Sequence, residues 1–305
     1  MKGNGFIPLP SLKDLHMTRN RKEALGAFVY ILPSLLLITI FAILPIVMNI
    51  FYSFHDYNII QPPSWSGLSN YKRLINDPYI VASIKNTVIF TFITVPLQTL
   101  FALVLAALLV RRFHDKFTNF IKGALFIPVI ASAVLVGTLW SIILSSHGVV
   151  NQAIELIGLE PINWLGRQST SLLSICIATI WKNVGYFLVI FYAGILEIPT
   201  SLYEAASVDG ASKWQQFIHI TIPGLSSVTY LVVTLGTIWS FQIFDMVYTM
   251  TGGGPGLSTV TLVLTIYNTA FKEYSMGYAS AIALLMFVFV ILLSQLQRLI
   301  MRKDG

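Results

Sequence analysis

The side chains able to do chemistry are few and scattered along this chain. No two of its five histidines have the spacing of metal ligands within one apolar segment: His16, His55, His114, His147 and His219. The single cysteine, Cys176, excludes an internal disulfide. The glycine-rich run 252–256 lacks the lysine and hydroxyl of a phosphate-binding loop, so a tight turn is predicted there. The sequence therefore predicts no catalytic residues and no metal site.

One polar loop, residues 197–223, carries signals for two short helices. Ser201 with Glu204 three residues later predicts a capping box at the start of the first helix. Asp209 and Gly210 form a stop signal, because glycine adopts the left-handed conformation of a helix C-terminus without strain.

The second half of this loop predicts another short helix over residues 213–220. Pro223 then opens the next apolar segment. The alanines of the first helix and the aromatic residues of the second have no obvious partner within the loop. They either insert into a groove on another protein or pack back on the chain's own helices.

Lys182 is the only charged side chain inside an apolar segment, at the middle of residues 168–196. A charge at that depth is costly and is by default a functional candidate. One interpretation places Lys182 along a solute pathway. The other has its side chain snorkel or pair with a carboxylate such as Asp245. Because buried charges are commonly paired, we favour the internal pairing.

Several polar and aromatic side chains lie close in sequence to these two charges. Aromatic rings stack on the apolar C–H faces of sugars, while amides and hydroxyls bond to sugar rims. Side chains with these chemistries, and one small residue beside them, are Asn183, Tyr186, Gly236, Trp239, Ser240 and Gln242. The alternative role for the same residues is hydrogen bonding and small-residue packing between helices.

The composition indicates a membrane protein. Of the 305 residues, 55% are hydrophobic and 10% are charged, against about 25% charged in an average soluble domain. The mean hydropathy is +0.75. A soluble chain this apolar would be unable to cover its surface, which excludes a soluble enzyme, a disordered chain and a disulfide scaffold. The net charge of +6 is explained by basic cytoplasmic loops rather than by nucleic-acid binding.

Six apolar segments are long enough to cross a bilayer, which takes about 20 residues: 27–52, 86–110, 123–146, 171–196, 221–244 and 275–297. The side of the membrane on which both termini lie holds thirteen lysines and arginines. Five precede the first segment, four follow the second, one follows the fourth and three lie at the end. The other side holds four. We therefore predict an all-α polytopic membrane protein with six spans and cytoplasmic termini.

The predicted membrane domain, residues 24–298, lies between the tails 1–23 and 299–305, with residues 197–222 as a cytoplasmic loop. The basic first tail either lies on the membrane surface or is disordered. The first apolar run is too long for a signal peptide, and no A-x-A cleavage site follows it. On the outer side, residues 149–159 predict a short amphipathic helix, which helps receive a partner protein or caps the bundle.

The cytoplasmic loop resembles that of bacterial ABC importer permeases. The pattern is E-A-A, three residues, G, nine residues and I-x-[LI]-P. It is present here as Glu204, Ala205, Ala206, Gly210, Ile220, Ile222 and Pro223, with Ile222 where the family usually has leucine. Other segments are similar to the carbohydrate branch, specifically the first permease of the pair in maltose and glycerol-3-phosphate importers: 163–166, 181–185, 193–194, 251–255 and 277–281. The resemblance extends over nearly the whole chain from about residue 27.

This resemblance implies the ABC importer type I permease fold in a bacterial or archaeal cytoplasmic membrane. The implied partners are a second, non-identical permease, two cytoplasmic ABC ATPases and an extracytoplasmic sugar-binding protein, with no nucleic acid. The solute would be an oligosaccharide or a related compound. ATP and Mg would bind to the ATPases, so this chain would hold no cofactor and would not be an enzyme. The residues implied to couple to the ATPase are Glu204, Ala205, Ala206, Asp209 and Gly210.

Other functions are less consistent with the sequence. An ion-coupled secondary sugar transporter needs carboxylates inside the membrane, and Asp245 lies only at the edge of a span. A membrane-embedded enzyme needs catalytic groups clustered at one depth. An ABC permease for a non-sugar solute, such as an amino acid or a peptide, is disfavoured by the segments that resemble the sugar branch.

Overall fold

The computed structural model describes residues 12–112 and 116–301, which are mostly helical. The chain divides into two compact units, one ending at Phe51 and the other beginning at Tyr52. The described part of the first unit is a nearly continuous helix, which is apolar from Gly26 onward. Helix α1 (Leu12–Ile38) passes through a π-helical segment (Thr39–Ile43) into α2 (Leu44–Ser53), whose last two residues belong to the second unit. Residues 1–11 of the predicted tail lie outside the described residues, and α1 begins at Leu12.

A short β-hairpin follows α2 and is missing from the all-α prediction. Strand β1 (His55–Asn58) pairs antiparallel with β2 (Gln61–Trp65). Both strands are too short for an alternating pattern to be recognised, and β2 contains two prolines, which are confined to edge strands. Helix α3 (Ser69–Asn76) then leads into the second span.

Four stretches in the described residues are long and apolar enough to cross a membrane: Gly26–Ser53, Pro78–Val110, Gln168–Glu197 and Met276–Ile300. The last three belong to α4 (Pro78–Arg112), α8 (Gln168–Glu197) and α15 (Met276–Met301). The all-α membrane architecture predicted from the sequence is therefore confirmed.

The third and fifth predicted spans are broken helices rather than single rods. Helix α5 (Lys116–Ile130) and α6 (Ala133–Ile143) meet at 106°, and the stretches Lys213–Gly224 and Ser226–Phe241 meet at 68°. With each bent pair counted as one crossing, the number of spans rises to six. At the first break, the Ser132 side chain accepts a hydrogen bond from the Leu135 backbone N–H at 3.2 Å and caps α6.

The remaining helices form the second bent pair or connect the spans. Along the chain they are α7 (Val149–Leu156), α9 (Thr200–Val208), α10 (Lys213–Gln216), α11 (Ile222–Gly224), α12 (Ser226–Phe241), α13 (Asp245–Met250) and α14 (Leu262–Tyr267). A π-helical segment joins α10 to α11 (Phe217–Thr221), and another follows α14 (Asn268–Lys272). The helix predicted over 149–159 is confirmed as α7, and Gly158 beyond it has φ +79°.

The packing of α4 against α8 is the most extensive helix contact of the second unit. Small residues on α4, Ala102 and Ala106, face Phe187 and Phe191 on α8, and all four are fully buried. Alanines let two helix backbones approach closely, and the aromatic rings then fill the space between them. Helix α12 packs on the same pair through Val232.

The glycine-rich loop after α13 is partly buried, with Gly253 buried and Gly252 and Gly256 exposed. Gly252, Gly253 and Gly256 have positive φ angles, which confirms the predicted turn. The Asn86 side-chain amide on α4 donates to the backbone oxygens of Leu257 and Val260, at 2.7 and 2.9 Å. These bonds satisfy carbonyls that would otherwise be unpaired inside the bundle.

Candidate functional site

The first helix of the 197–223 loop starts differently from the prediction. Helix α9 begins at Thr200, after Pro199 at the N-cap, and no side chain caps it. The predicted capping box of Ser201 and Glu204 is therefore wrong. The fixed φ of Pro199 starts the helix one residue early, which places Ser201 inside the first turn. Glu204 is left with an exposed side chain and no capping role.

The end of α9 follows the prediction. Gly210 has φ +77°, and an added Cβ there would meet no atom within 4 Å. The Ala211 N–H donates to the Ala206 carbonyl at 2.8 Å, and the Gly210 N–H donates to Ser207 at 3.2 Å. These are the two bonds of a Schellman motif, which turns the chain sharply after a helix.

A capping box does occur in this loop, at the second helix. Ser212 and Gln215 bond reciprocally at the start of α10, at 3.3 and 2.7 Å. The predicted helix over 213–220 runs further, through the π-helical segment and α11, to Gly224. Pro223 therefore lies within this helical stretch, and the fifth span breaks after it, at Leu225.

The two faces of this α9–α10 loop have different environments. On the inner face, Tyr203 and Thr221 share a hydrogen bond of 3.0 Å, and the Gln216 amide donates to Ser207 at 2.8 Å. The outer face holds large apolar side chains that are 51%, 88% and 67% exposed: Leu202, Val208 and Trp214. The inner face therefore packs back on the chain's own helices, as one interpretation expected, and docking of the outer face on another protein stays a prediction. Of the residues implied to couple, Ala206 is half-buried and the others are exposed: Glu204, Ala205, Asp209 and Gly210.

A polar cavity of about 250 Å³ lies at the ends of the broken helices. Helix α6 contributes its first residue, Ala133, and the linker between α12 and α13 contributes residues 242–244. Non-helical backbone at membrane depth is tolerated only where protein buries it or where it lines a cavity. The Ile243 carbonyl is satisfied by the Thr261 hydroxyl at 3.2 Å.

This cavity brings together six of the eight residues singled out within or near the spans. They are Lys182, Asn183, Trp239, Ser240, Gln242 and Asp245. The Trp239 ring is 37% exposed and packs against Phe187, with ring centroids 5.4 Å apart. The cavity therefore combines an indole, two amides, a hydroxyl and two opposite charges.

Two of the singled-out residues lie beside the cavity rather than in its lining. Tyr186 reaches it only through Trp239, with ring centroids 4.9 Å apart. Gly236 is buried one turn earlier on α12, where the amide of Gln98 is its nearest neighbour. Ser240 lines the cavity but also shares a 3.1 Å hydrogen bond with Thr94 on α4, so it links two helices as well.

Beyond the six residues singled out, the cavity is lined by Phe90, Ala133, Thr179, Ile243, Phe244 and Met246. Thr179 lies one helical turn before Lys182 and Asn183, so helical spacing was sufficient to place it on the same face of α8. Its buried hydroxyl has no hydrogen-bond partner among the described residues. Phe244 lies between Gln242 and Asp245 in the sequence, whereas Phe90 on α4 carries no such signal, because a helix distant in sequence brings it to the cavity.

Comparison with known proteins identifies the class of molecule. The chain belongs to the family of binding-protein-dependent transport system inner membrane components, whose family model matches residues 79–303. The fold is that of a type I ABC importer permease. A bacterial ABC transporter involved in the import of the acidic polysaccharide alginate aligns with a TM-score of 0.82 and 21% identity, covering 94% of this chain and 99% of that chain.

Individual relatives are similar over nearly their whole length. The trehalose/maltose transport system permease protein MalF of Thermococcus litoralis is 34% identical over 272 residues, covering 88% of this chain and 91% of that protein. The lactose transport system permease protein LacF of Rhizobium radiobacter is 34% identical over 277 residues, covering 89% of this chain and 92% of that protein.

Proposed function

We infer that this chain is the membrane-spanning permease subunit of an ABC importer for a carbohydrate, in the cytoplasmic membrane of a bacterium or archaeon. Family membership and the type I fold support the importer assignment, and the named relatives act on sugars. The observation that carries the carbohydrate assignment is the polar cavity, where Trp239 lies beside Asn183 and Gln242. An aromatic face with amides around it matches the apolar face and the hydroxylated rim of a sugar ring.

The proposed partners complete a pathway of which this chain forms one half. A second, non-identical permease supplies the other half, and an extracytoplasmic binding protein delivers the sugar. Two cytoplasmic ATPases bind ATP and Mg and perform the hydrolysis, so this chain is not an enzyme. The outer face of the α9–α10 loop, with Glu204, Ala205 and Val208, docks on one ATPase as helices dock in apolar grooves.

Continuous structure connects that docking surface to the polar cavity. Two hydrogen bonds tie α9 to the helical stretch Lys213–Gly224. After the 68° bend this stretch continues as α12, which supplies Trp239 and Ser240 to the cavity. A displacement of α9 by closure of the ATPases would therefore be transmitted to Trp239 and Ser240 through the stretch Lys213–Gly224 and α12.

The test is purification of the tagged chain from native membranes in mild detergent, followed by mass spectrometry and reconstitution. We expect a second permease and an ATPase to copurify. With its binding protein, the complex should take up at least one of maltose, lactose, maltotriose and arabinotriose in an ATP-dependent manner. Methionine is the control solute. Recovery of the chain alone, with uptake that survives loss of the ATPases, would contradict the importer assignment. Uptake of methionine but none of the sugars would contradict the carbohydrate assignment.

A further inference from the structure

Four aromatic rings form a cluster next to the polar cavity. Phe244 stacks on Tyr248 at 5.3 Å between ring centroids and contacts Tyr267 at 5.0 Å. Tyr267 contacts Tyr248 edge-on at 5.5 Å and Phe271 at 5.5 Å. We call these four residues the aromatic cluster. It joins the break after α12 to α13, α14 and the π-helical segment that follows.

The aromatic cluster runs from the cavity to the surface of the chain. Phe244 lines the polar cavity itself. Tyr248 is 44% exposed and Phe271 is 59% exposed. The Lys272 ammonium lies 5.6 Å from the centroid of Tyr248 and 5.8 Å from that of Tyr267. One end of the aromatic cluster is therefore shared with the cavity, and the other end is accessible and carries a cation.

Packing of the fold does not account for these exposed rings. Helix α13 buries Met246, Val247 and Met250, and α14 buries Leu262 and Leu264. Those apolar faces already attach both helices to the bundle, so Tyr248 and Phe271 are not needed to cover the core.

We propose that the aromatic cluster is an outer carbohydrate subsite, which holds one sugar ring of an oligosaccharide while the next ring occupies the polar cavity. This proposal rests on the proposed function. Exposed rings at Tyr248 and Phe271 offer faces for sugar C–H groups, while the phenol hydroxyls and Lys272 bond to hydroxyls at the rim. Continuity through Phe244 makes a bound chain of two or more rings span both places, which favours oligosaccharides over monosaccharides.

The first test compares uptake by the complete reconstituted importer and its variants. Tyr248→Ala and Phe271→Ala should each raise the half-saturating concentration of the transported trisaccharide, maltotriose or arabinotriose, roughly five- to tenfold. Tyr248→Phe and Phe271→Tyr should keep this concentration closer to the wild-type value than the alanine variants do, because the ring face is retained. The control is Tyr79→Ala, which removes a tyrosine that is 51% exposed and outside the aromatic cluster. Equal behaviour of the alanine variants and the wild type would overturn the proposal.

A second measurement does not depend on how well the alanine variants assemble. The native Cys176 is buried, so Phe271→Cys introduces a single accessible thiol in the described part of the chain. A maleimide should label this thiol in the assembled complex, and the transported trisaccharide should slow the labelling. A thiol that stays unlabelled in the complex indicates that the partner permease or lipid covers the aromatic cluster, and overturns the proposal. Labelling that the sugar leaves unchanged does the same.

The two proposals fail in distinguishable ways. Where the wild-type complex takes up none of the sugars, the proposed function has failed and the outer subsite falls with it. Where the wild type takes up a trisaccharide but the Phe271→Cys thiol is not protected, the importer assignment stands and only the outer subsite is rejected.

Discussion

The α9–α10 loop and the polar cavity are built in opposite ways. The loop is a contiguous stretch whose hydrogen bonds are nearly all made within itself, and its outer face is left exposed. The cavity is assembled from α4, α6, α8 and the segment from α12 to α13, which are distant in sequence. Its polar groups lie within the chain's own bundle.

This contrast separates two kinds of functional surface. A loop that completes its own shape and leaves apolar side chains outside is suited to a partner that supplies the other half of the contact. A cavity that collects indole, amide and charged groups at helix breaks is suited to a small polar ligand. Variants should therefore affect coupling at the loop and solute recognition or stability at the cavity.

The largest effect is expected from Gly210→Pro in the loop. Proline fixes φ near −65°, whereas Gly210 has φ +77° and donates its N–H to Ser207. Adopting the native loop conformation, which we propose docks on the ATPase, should cost the variant about 3 kcal/mol or more. That free energy corresponds to a loss of uptake of about a hundredfold. The measurement is solute uptake and ATP hydrolysis by the reconstituted complex.

A matched control for this variant is Gly158→Pro. Gly158 follows α7 with φ +79° and donates its N–H to Glu155, so the local strain is the same outside the loop. Its uptake should remain within about twofold of the wild type, because surface changes away from a functional contact have small effects. Equal losses in both variants would show that strain alone, and not the shape of the loop, reduces transport.

The next largest effect is expected from Gly185→Ala on α8, one turn from the cavity. A Cβ at Gly185 would overlap the Leu125 carbonyl oxygen of α5, so the two helices must separate. We expect about 1–3 kcal/mol of destabilisation, seen as a lower unfolding temperature in detergent. Gly123→Ala is the control, since a Cβ there meets nothing within 4 Å. An unchanged unfolding temperature for Gly185→Ala would show that α5 and α8 do not pack this closely.

A smaller effect is expected from breaking the charge pair that we predict between Lys182 and Asp245. Both side chains line the cavity. Lys182→Gln and Asp245→Asn should each reduce uptake, because each leaves an uncompensated charge in a poorly solvated site. The free-energy loss of the double variant should be smaller than the sum of the two single losses by about 1–2 kcal/mol. The measurement is a double-mutant cycle on uptake rates. Strict additivity would indicate that the two charges act separately along the pathway.

The smallest effect is expected from Glu204→Gln. Because Glu204 does not cap α9, its replacement should leave the unfolding temperature unchanged. An exposed charged contact is worth about 0.5–1 kcal/mol, so the ratio of uptake to ATP hydrolysis should fall roughly two- to fivefold. Glu155→Gln on α7 is the matched control. A normal ratio in Glu204→Gln would remove the proposed contact with the ATPase.

The sequence predicts the loop better than the cavity because the signals for the loop are local. Gly210 identifies the end of α9 by its own backbone freedom, and the E-A-A pattern identifies the family. The error at Ser201 and Glu204 has a local cause too, since Pro199 starts the helix before the expected cap can form. The single residue Pro199 therefore decides that the helix starts at Thr200 and not after a cap at Ser201.

The cavity is only half predictable for a different reason. Neighbouring positions in the sequence relate Lys182 to Asn183, and Trp239 to Ser240, but they do not show that α8 lies next to α12. The break after α12 is hidden as well, because residues 242–244 contain neither glycine nor proline and lie in a continuous apolar window. Non-local packing against α4 and α6 brings Phe90 and Ala133 to the site.

The pair of hydrogen bonds from α9 to the fifth span has a mechanical consequence. The hydrogen bonds Tyr203–Thr221 and Ser207–Gln216 hold α9 at two points. We therefore expect α9 and the stretch up to Gly224 to move as one rigid unit. The fully buried Leu225 lies at the 68° bend and is the expected pivot of that unit. A displacement of α9 is therefore expected to rotate α12. Loss of either hydrogen bond would let α9 move without α12.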